Sequence, residues 1–151
     1  MRTKLILLLL PLTLLAACSP KQSPGTAPAP LEPRRGQVWQ LVSEQGRPLP
    51  RSKHSPTLLL NPDSQTASGL AYCNEYTFRY TLQHPVQQPD GDRYKVQFTF
   101  WGCGSVECPE GGMNAERRYI GLLDKATSLR LTATTLTLYQ KNNELLHFEL
   151  Q

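Results

Sequence analysis

Histidine is scarce in this chain, net charge is small, and no apolar run is long enough to cross a bilayer. The three histidines, His54, His84 and His147, are expected in two loops and on the outward face of the last strand. None stands at metal-ligand spacing from a cysteine or from another histidine, so the linear pattern offers no metal site. Hydrolase signatures are missing as well: there is no GxSxG, no HExxH and no glycine-rich phosphate loop. No internal repeat of fixed length occurs. The longest apolar stretch, Leu5 to Ala17, spans 13 residues. A membrane-crossing helix needs about 20, so this run suits the core of an export signal.

What is present at the N-terminus is specific. Arg2 and Lys4 form a short basic start, the apolar run follows, and it ends Leu-Leu-Ala-Ala-Cys at Cys18. The pattern resembles the lipobox of bacterial lipoproteins. Small residues before the cut let the backbone lie flat in the peptidase cleft, and the Cys18 thiol takes the diacylglyceryl group. Residues 1–17 are therefore expected to leave. With them go two positive charges, so 14 basic side chains of the original 16 face 12 acidic ones, a net charge of +2. A balance that close to neutral gives no case for a nucleic-acid partner. Two or three acyl chains hold a protein stably on a membrane where one does not. By analogy with enteric sorting, Ser19 rather than Asp after Cys18 points to the periplasmic face of the outer membrane.

Residues 18–35 carry five prolines after the cysteine, Pro20, Pro24, Pro28, Pro30 and Pro33, and no apolar periodicity. Such a segment buries too little to offset its ordering entropy, so an extended tether is expected, with a reach of up to about 50 Å. From residue 36 to 151 the chain is one domain's worth. Runs at 38–42, 57–60, 66–72, 76–82, 93–100, 128–132, 135–140 and 144–150 read as strands. In 93–100, Tyr94, Val96, Phe98 and Phe100 share one face. Leu129, Leu131, Leu136, Leu138, Leu146, Phe148 and Leu150 are expected inward, with Trp39 in the core. Pro62-Asp63, Asp90-Gly91 and Asn142-Asn143 carry turn chemistry. The period changes at 114–127, where Tyr119, Ile120, Leu122, Leu123 and Ala126 make a helical stripe, with Asn114 as N-cap and Glu116 favoured by the helix dipole. The expectation is a mainly β (α+β) single domain. Its seven to eight antiparallel strands form a curled or barrel-like sheet, with one helix inserted before the last three strands.

These residues in order resemble the META domain family, the HslJ-like proteins of the bacterial envelope. The resemblance rests on Trp39-x-Leu41, on Ser68-Gly69 and Cys73-Asn74-x-Tyr76, on Cys108-Pro109 with Glu116 eight residues on, and on the closing Leu-rich strands. Tyr72 stands where the family usually has Gly, Ser105 where it favours Thr, and Cys103 is extra. The resemblance implies a small mainly-β envelope domain linked to stress or antibiotic tolerance, with no established reaction, no cofactor and no catalytic residue. The two cysteines that fall on the family pattern are Cys73 and Cys108. An exported thiol is usually paired, so 73–108 is the favoured disulfide and Cys103 the spare, with 103–108 and 73–103 as alternatives.

The functional expectation is a monomeric, non-enzymatic lipoprotein that binds an envelope protein or a small molecule. Trp101 is expected to pack under its own loop, with an exposed, partner-facing Trp101 as the alternative. Glu107 and Glu110, on one irregular loop at 102–113, are too close in sequence to suggest a facing glycosidase pair and belong to the same candidate surface. A rival reading is a β-barrel inhibitor that presents this loop to host lysozyme. A thiol enzyme, needing a reactive Cys103, comes last. Replacing the lipidated cysteine tests the anchor: Cys18→Ala is expected to accumulate as precursor and to take up no labelled fatty acid in growing cells. Full labelling of that variant would remove the lipoprotein assignment.

Overall fold

Alternation of apolar and polar residues dictates most of the architecture. Each strand presents every second side chain to one face, and in this chain those side chains meet around a single core. The structure is a computed structural model that describes residues 31–52, 54–86, 93–108 and 111–151. The strands are β1 (Val38–Glu44), β2 (Arg47–Pro48), β3 (Thr57–Asn61), β4 (Thr66–Ala71), β5 (Asn74–Val86), β6 (Arg93–Cys103), β7 (Ser128–Leu131), β8 (Thr135–Gln140) and β9 (Asn143–Leu150). The helix α1 (Gly112–Asp124) stands between β6 and β7, before the last three strands, as the sequence predicts.

All neighbours pair antiparallel in chain order from β1 through β9, with β3 next to β1, and β2 folds back on β1. β9 returns to β1, with Trp39 opposite Leu150 and Glu44 opposite Leu146. The sheet of nine strands is thus ring-like, but it is not a barrel. β7 meets β6 only at Arg93–Lys95, so the rest of β6 has β5 as its one strand partner. Helix α1 packs against this region and against β9 and β4.

The core holds Trp39 and Leu41 of β1, Phe78 of β5, Phe98 of β6, Tyr119 and Leu123 of α1, and Leu136, Leu138, Leu146 and Phe148 of the last hairpin. Burial of each large apolar side chain contributes about 1.5–3 kcal/mol before entropy is counted. Gly69 marks a place where this packing leaves no room. A Cβ there would lie 2.1 Å from the Thr57 carbonyl oxygen. That close approach gives the Ser68-Gly69 pair its structural meaning.

Several expectations change. The eight strands read from the pattern are joined by β2, whose two residues are exposed and carry no alternation. β5 runs on to Val86 and takes in His84 and Pro85, which the sequence reading put in a loop. Proline is tolerated there because the β5–β6 register shifts between Gln83 and Val86, a bulge that needs no ladder donor. Asp90-Gly91 lies outside the described residues. Phe100 is 48% exposed rather than inward. Phe78 pairs with Phe100 while Thr77 pairs with Gly102, so Trp101 is the extra residue of a second bulge that turns this end of β6 outward. The helix begins at Gly112 behind Gly111 at φ 82°, with no side-chain cap, so Asn114 lies inside the first turn. The last hairpin turns at Lys141-Asn142, one residue earlier than expected, with Lys141 at φ 56°.

The end of the proline-rich segment is attached to the domain. Pro33 is buried, and the buried Tyr94 donates its hydroxyl to the Leu31 carbonyl at 2.6 Å. Deleting residues 19–29 is therefore expected to leave the melting temperature within a degree or two. Deleting 19–35 removes an acceptor from a buried hydroxyl and is expected to cost about 1–3 kcal/mol. Thermal unfolding of the two truncations side by side checks this; equal melting temperatures would show that the contact contributes nothing.

Candidate functional site

The site is built where four elements converge: the β4–β5 turn, the end of β6, the loop after it, and the second turn of α1. β4 and β5 are joined by two residues, Tyr72 and Cys73, between the paired Ala71 and Asn74. Tyr72 sits at φ 66°. A side chain in this left-handed region costs about 1–2 kcal/mol, which glycine avoids. The position thus explains why Gly suits it, and the Tyr72 side chain offsets the cost. Its hydroxyl donates to Glu44 Oε1 at 2.9 Å, and its ring stands edge-on to Tyr119. Burial, reinforced by the Glu44 carboxylate, pushes the Tyr72 hydroxyl up to about 12. Glu44 is itself buried and accepts from Arg118 Nε at 2.7 Å.

Cys73 is bonded to Cys108, with Cα atoms 6.0 Å apart and a separation of 35 positions in sequence. In the chain-entropy account a loop of that length stabilises by about 4 kcal/mol. The favoured pairing is the one present, and among the described residues Cys103 is the free cysteine, half-buried at the end of β6.

Asn74 is the centre of the arrangement and is 3% exposed. Its amide nitrogen donates to Glu116 Oε2 at 2.9 Å and to the Val106 carbonyl at 3.0 Å. Its carbonyl oxygen accepts from the Val106 N–H at 2.9 Å. One side chain thereby replaces a strand partner for the loop and fixes the helix. Gly104 allows it: a Cβ there would come within 2.8 Å of Asn74 Oδ1.

Glu116, read from sequence only as a residue favoured by the helix dipole, is buried in α1 and faces sulfur on several sides. Its Oε2 lies 3.5 Å from Cys73 Sγ and 3.6 Å from Cys108 Sγ. The Cys103 thiol donates to Oε1 at 3.7 Å. Burial first, and the Glu116 charge second, push the Cys103 thiol up. A thiol held in its protonated form is a weak nucleophile. Cys73, Cys103, Cys108 and Glu116, scattered over 44 positions of sequence, are thus brought together.

Next to this cluster, Tyr76 and Tyr119 share the Thr57 carbonyl at 2.8 and 3.2 Å, with their hydroxyls 2.9 Å apart. Burial pushes both phenols up. The remaining candidates lie elsewhere. Trp101 is 61% exposed with the Arg79 guanidinium 4.7 Å above its ring, which overturns the expectation that it packs under its loop. Val106 and Glu107 are exposed on that loop; Glu110 and the lipidation candidate Cys18 lie outside the described residues. His147 Nδ1 is 2.8 Å from Thr137 Oγ1. Sequence reasoning missed Glu44 and Arg118, whose ion pair spans 74 positions; a lone acid at a strand end gives no signal of burial.

A ring-like antiparallel sheet with one helix across its gap and a Cys-Asn/Cys/Glu clasp defines a small mainly-β class of domain. The model of the META domain family matches residues 30–151, and the chain belongs to that family. The match includes Leu31 and Pro33, the residues attached to the domain. Among solved structures, the NMR structure of a protein from Burkholderia xenovorans is similar, at 24% identity and a TM-score of 0.55, covering 87% of this chain and 96% of that one. A second NMR structure is 22% identical at a TM-score of 0.51, covering 76% and 88%. Both likenesses concern the fold. Among curated proteins, none matches.

Asn74→Ala strips the partners from two backbone groups of Val106 and a donor from buried Glu116. The expected loss is about 2–4 kcal/mol with the disulfide intact, since buried groups left unpaired carry their full desolvation penalty. Denaturant unfolding under non-reducing conditions measures it. A loss under about 0.5 kcal/mol, the size of an ordinary surface substitution, would contradict the central role of Asn74.

Proposed function

We propose that this META-domain protein is a lipid-anchored envelope protein that works by holding a partner rather than by catalysis. In this reading the lipid on Cys18 keeps it on the periplasmic face of the outer membrane, and it serves envelope maintenance, stress or antibiotic tolerance. The observation that carries the reading is the run of exposed apolar residues at the end of β6 and in the loop after it. Phe100, Trp101 and Val106 are 48, 61 and 69% exposed, within seven residues of chain. Grouped exposed aromatics are the usual mark of a protein-binding surface, and tryptophan is prominent among residues that dominate binding energy. The buried clasp supports the same reading from beneath: the disulfide and Asn74 hold the loop that carries Val106. A pre-fixed surface binds with less ordering cost.

The loop also favours one second reading, inhibition of a lysozyme. Val106 and Glu107 are exposed between points anchored by Cys103 in β6 and by Cys108 in the disulfide. A fixed protruding loop is the form an inhibitor presents to a cleft.

A photo-crosslinking residue at Trp101, with a control on the outer face at Lys95, separates the readings in intact envelopes. The expected result is one envelope protein captured from position 101 and not from 95. In reciprocal capture, Trp101→Ala should weaken its binding at least about tenfold, as loss of a dominant interface residue does. Equal capture from both positions would sink the binding surface. Inhibition of lysozyme by the purified protein at stoichiometric concentration would replace the first reading with the second.

A further inference from the structure

We propose that the cluster around Glu116 is a metal site that opens when the Cys73–Cys108 bond is reduced, taking one thiophilic divalent ion such as Zn²⁺. The ligands would be the sulfurs of Cys73, Cys108 and Cys103 and a carboxylate oxygen of Glu116. No linear motif announces them, because the ligands come from a hairpin turn, a strand end, a loop and a helix.

The geometry carries the case. Cys73 Sγ, Cys108 Sγ and a Glu116 carboxylate oxygen all lie within 4.8 Å of one another. Tetrahedral zinc holds sulfur at about 2.3 Å and oxygen at about 2.0–2.2 Å, so its sulfur–oxygen edges are about 3.5 Å. The two such edges present here are 3.5 and 3.6 Å. The third edge, between the two sulfurs, is closed by the covalent bond. Reduction frees it to relax towards the sulfur–sulfur edge of about 3.8 Å that the same bond lengths give. Cys103 lies outside that 4.8 Å set; its Sγ is 3.7 Å from the other Glu116 oxygen, so it becomes the fourth ligand by rotation of its side chain or of the carboxylate. Cys103 is also partly exposed, which gives an ion a way in.

The electrostatics agree. Glu116 is 6% exposed, and the partners recorded for its carboxylate among the described residues are an amide and sulfurs, with no cationic side chain. A carboxylate placed so deeply is normally matched by a cation. Asn74 already performs an outer-shell task, donating to the Glu116 oxygen and fixing the loop that ends at Cys108. Three sulfurs and one oxygen select Zn²⁺ or Cd²⁺ over Mg²⁺ or Ca²⁺.

The redox step balances. A dithiol reductant gives two electrons and two protons to the Cys73–Cys108 bond and becomes a disulfide; the two cysteines become thiols. Metal entry then displaces the thiol protons to solvent. In the reverse direction a disulfide oxidant accepts the two electrons and two protons and becomes a dithiol, the Cys73–Cys108 bond re-forms and the ion is released.

The test uses the full chain carrying Cys18→Ala, which removes the one cysteine outside the proposed site. The protein is reduced anaerobically with a phosphine and titrated with Cd²⁺, following thiolate-to-cadmium charge-transfer absorption and far-ultraviolet circular dichroism. The expected result is one Cd²⁺ per reduced chain and none per oxidised chain. Cys103→Ser and Glu116→Gln, whose folding is verified first in the oxidised state, should each weaken binding at least about tenfold. No uptake by the reduced chain, equal uptake by the oxidised one, or an affinity unchanged in either variant overturns the assignment. So does a chain that unfolds on reduction and stays unfolded with Cd²⁺ present.

Discussion

The fold depends on a helix being held against a gap in its own sheet. β7 is too short to continue the ladder along β6, so a ring of strands alone would leave that side of the core open. Helix α1 covers it with Tyr119, Leu122 and Leu123. Apolar contact alone is non-directional and would let a single helix slide. What fixes its register is polar: Glu116 to Asn74, Arg118 to Glu44, and Tyr119 to the Thr57 carbonyl. Each bond reaches a different part of the sheet, at β5, β1 and β3. The Asn74 bond has the largest consequence, because the same side chain also holds the loop that feeds the helix.

This explains why polar residues occupy the interior of so small a domain. Buried polar groups are costly unless every partner is present. Here the partners are supplied by residues distant in sequence, so the native pairing is satisfied only in one arrangement of helix and sheet. Asn74 uses both amide hydrogens and its carbonyl oxygen. Glycines at 69 and 104 leave the space that these contacts need. The motif residues of the family are therefore largely geometric: they make one close packing possible.

The strands were legible because their alternation is local. Leu129, Leu131, Leu136 and Leu138 are buried as their spacing predicts, and the helix announces itself by a change of period at Tyr119 to Leu123. Legibility fails where a local rule meets a tertiary one. Phe100 keeps the strand period, but a bulge at Trp101 turns it outward. Asn114 has capping chemistry, yet the chain enters the helix through Gly111 instead. The candidate site was legible in part. Cys73, Asn74, Cys108 and Glu116 stand out as a spaced set through family resemblance, while the burial of Glu116 among three sulfurs arises only when hairpin, loop and helix meet. Glu44 and Arg118 had no sequence signal at all.

The loop after β6 joins the two halves of the functional picture. It exposes Val106, and Trp101 is exposed on the strand end just before it. It ends at Cys108, which faces Glu116 together with Cys103 of the β6 end. Val106 is held on one side by the two hydrogen bonds to Asn74 and lies two residues from a disulfide-bonded cysteine. Surface and cluster are consequently mechanically continuous. Val106 is exposed on the same short segment whose ends carry the sulfurs that face Glu116. If both proposed sites bind, linkage makes any coupling between them reciprocal. Asn74 contacts helix and loop from its place in β5, and so joins the exposed stretch of chain to the buried cluster beneath it.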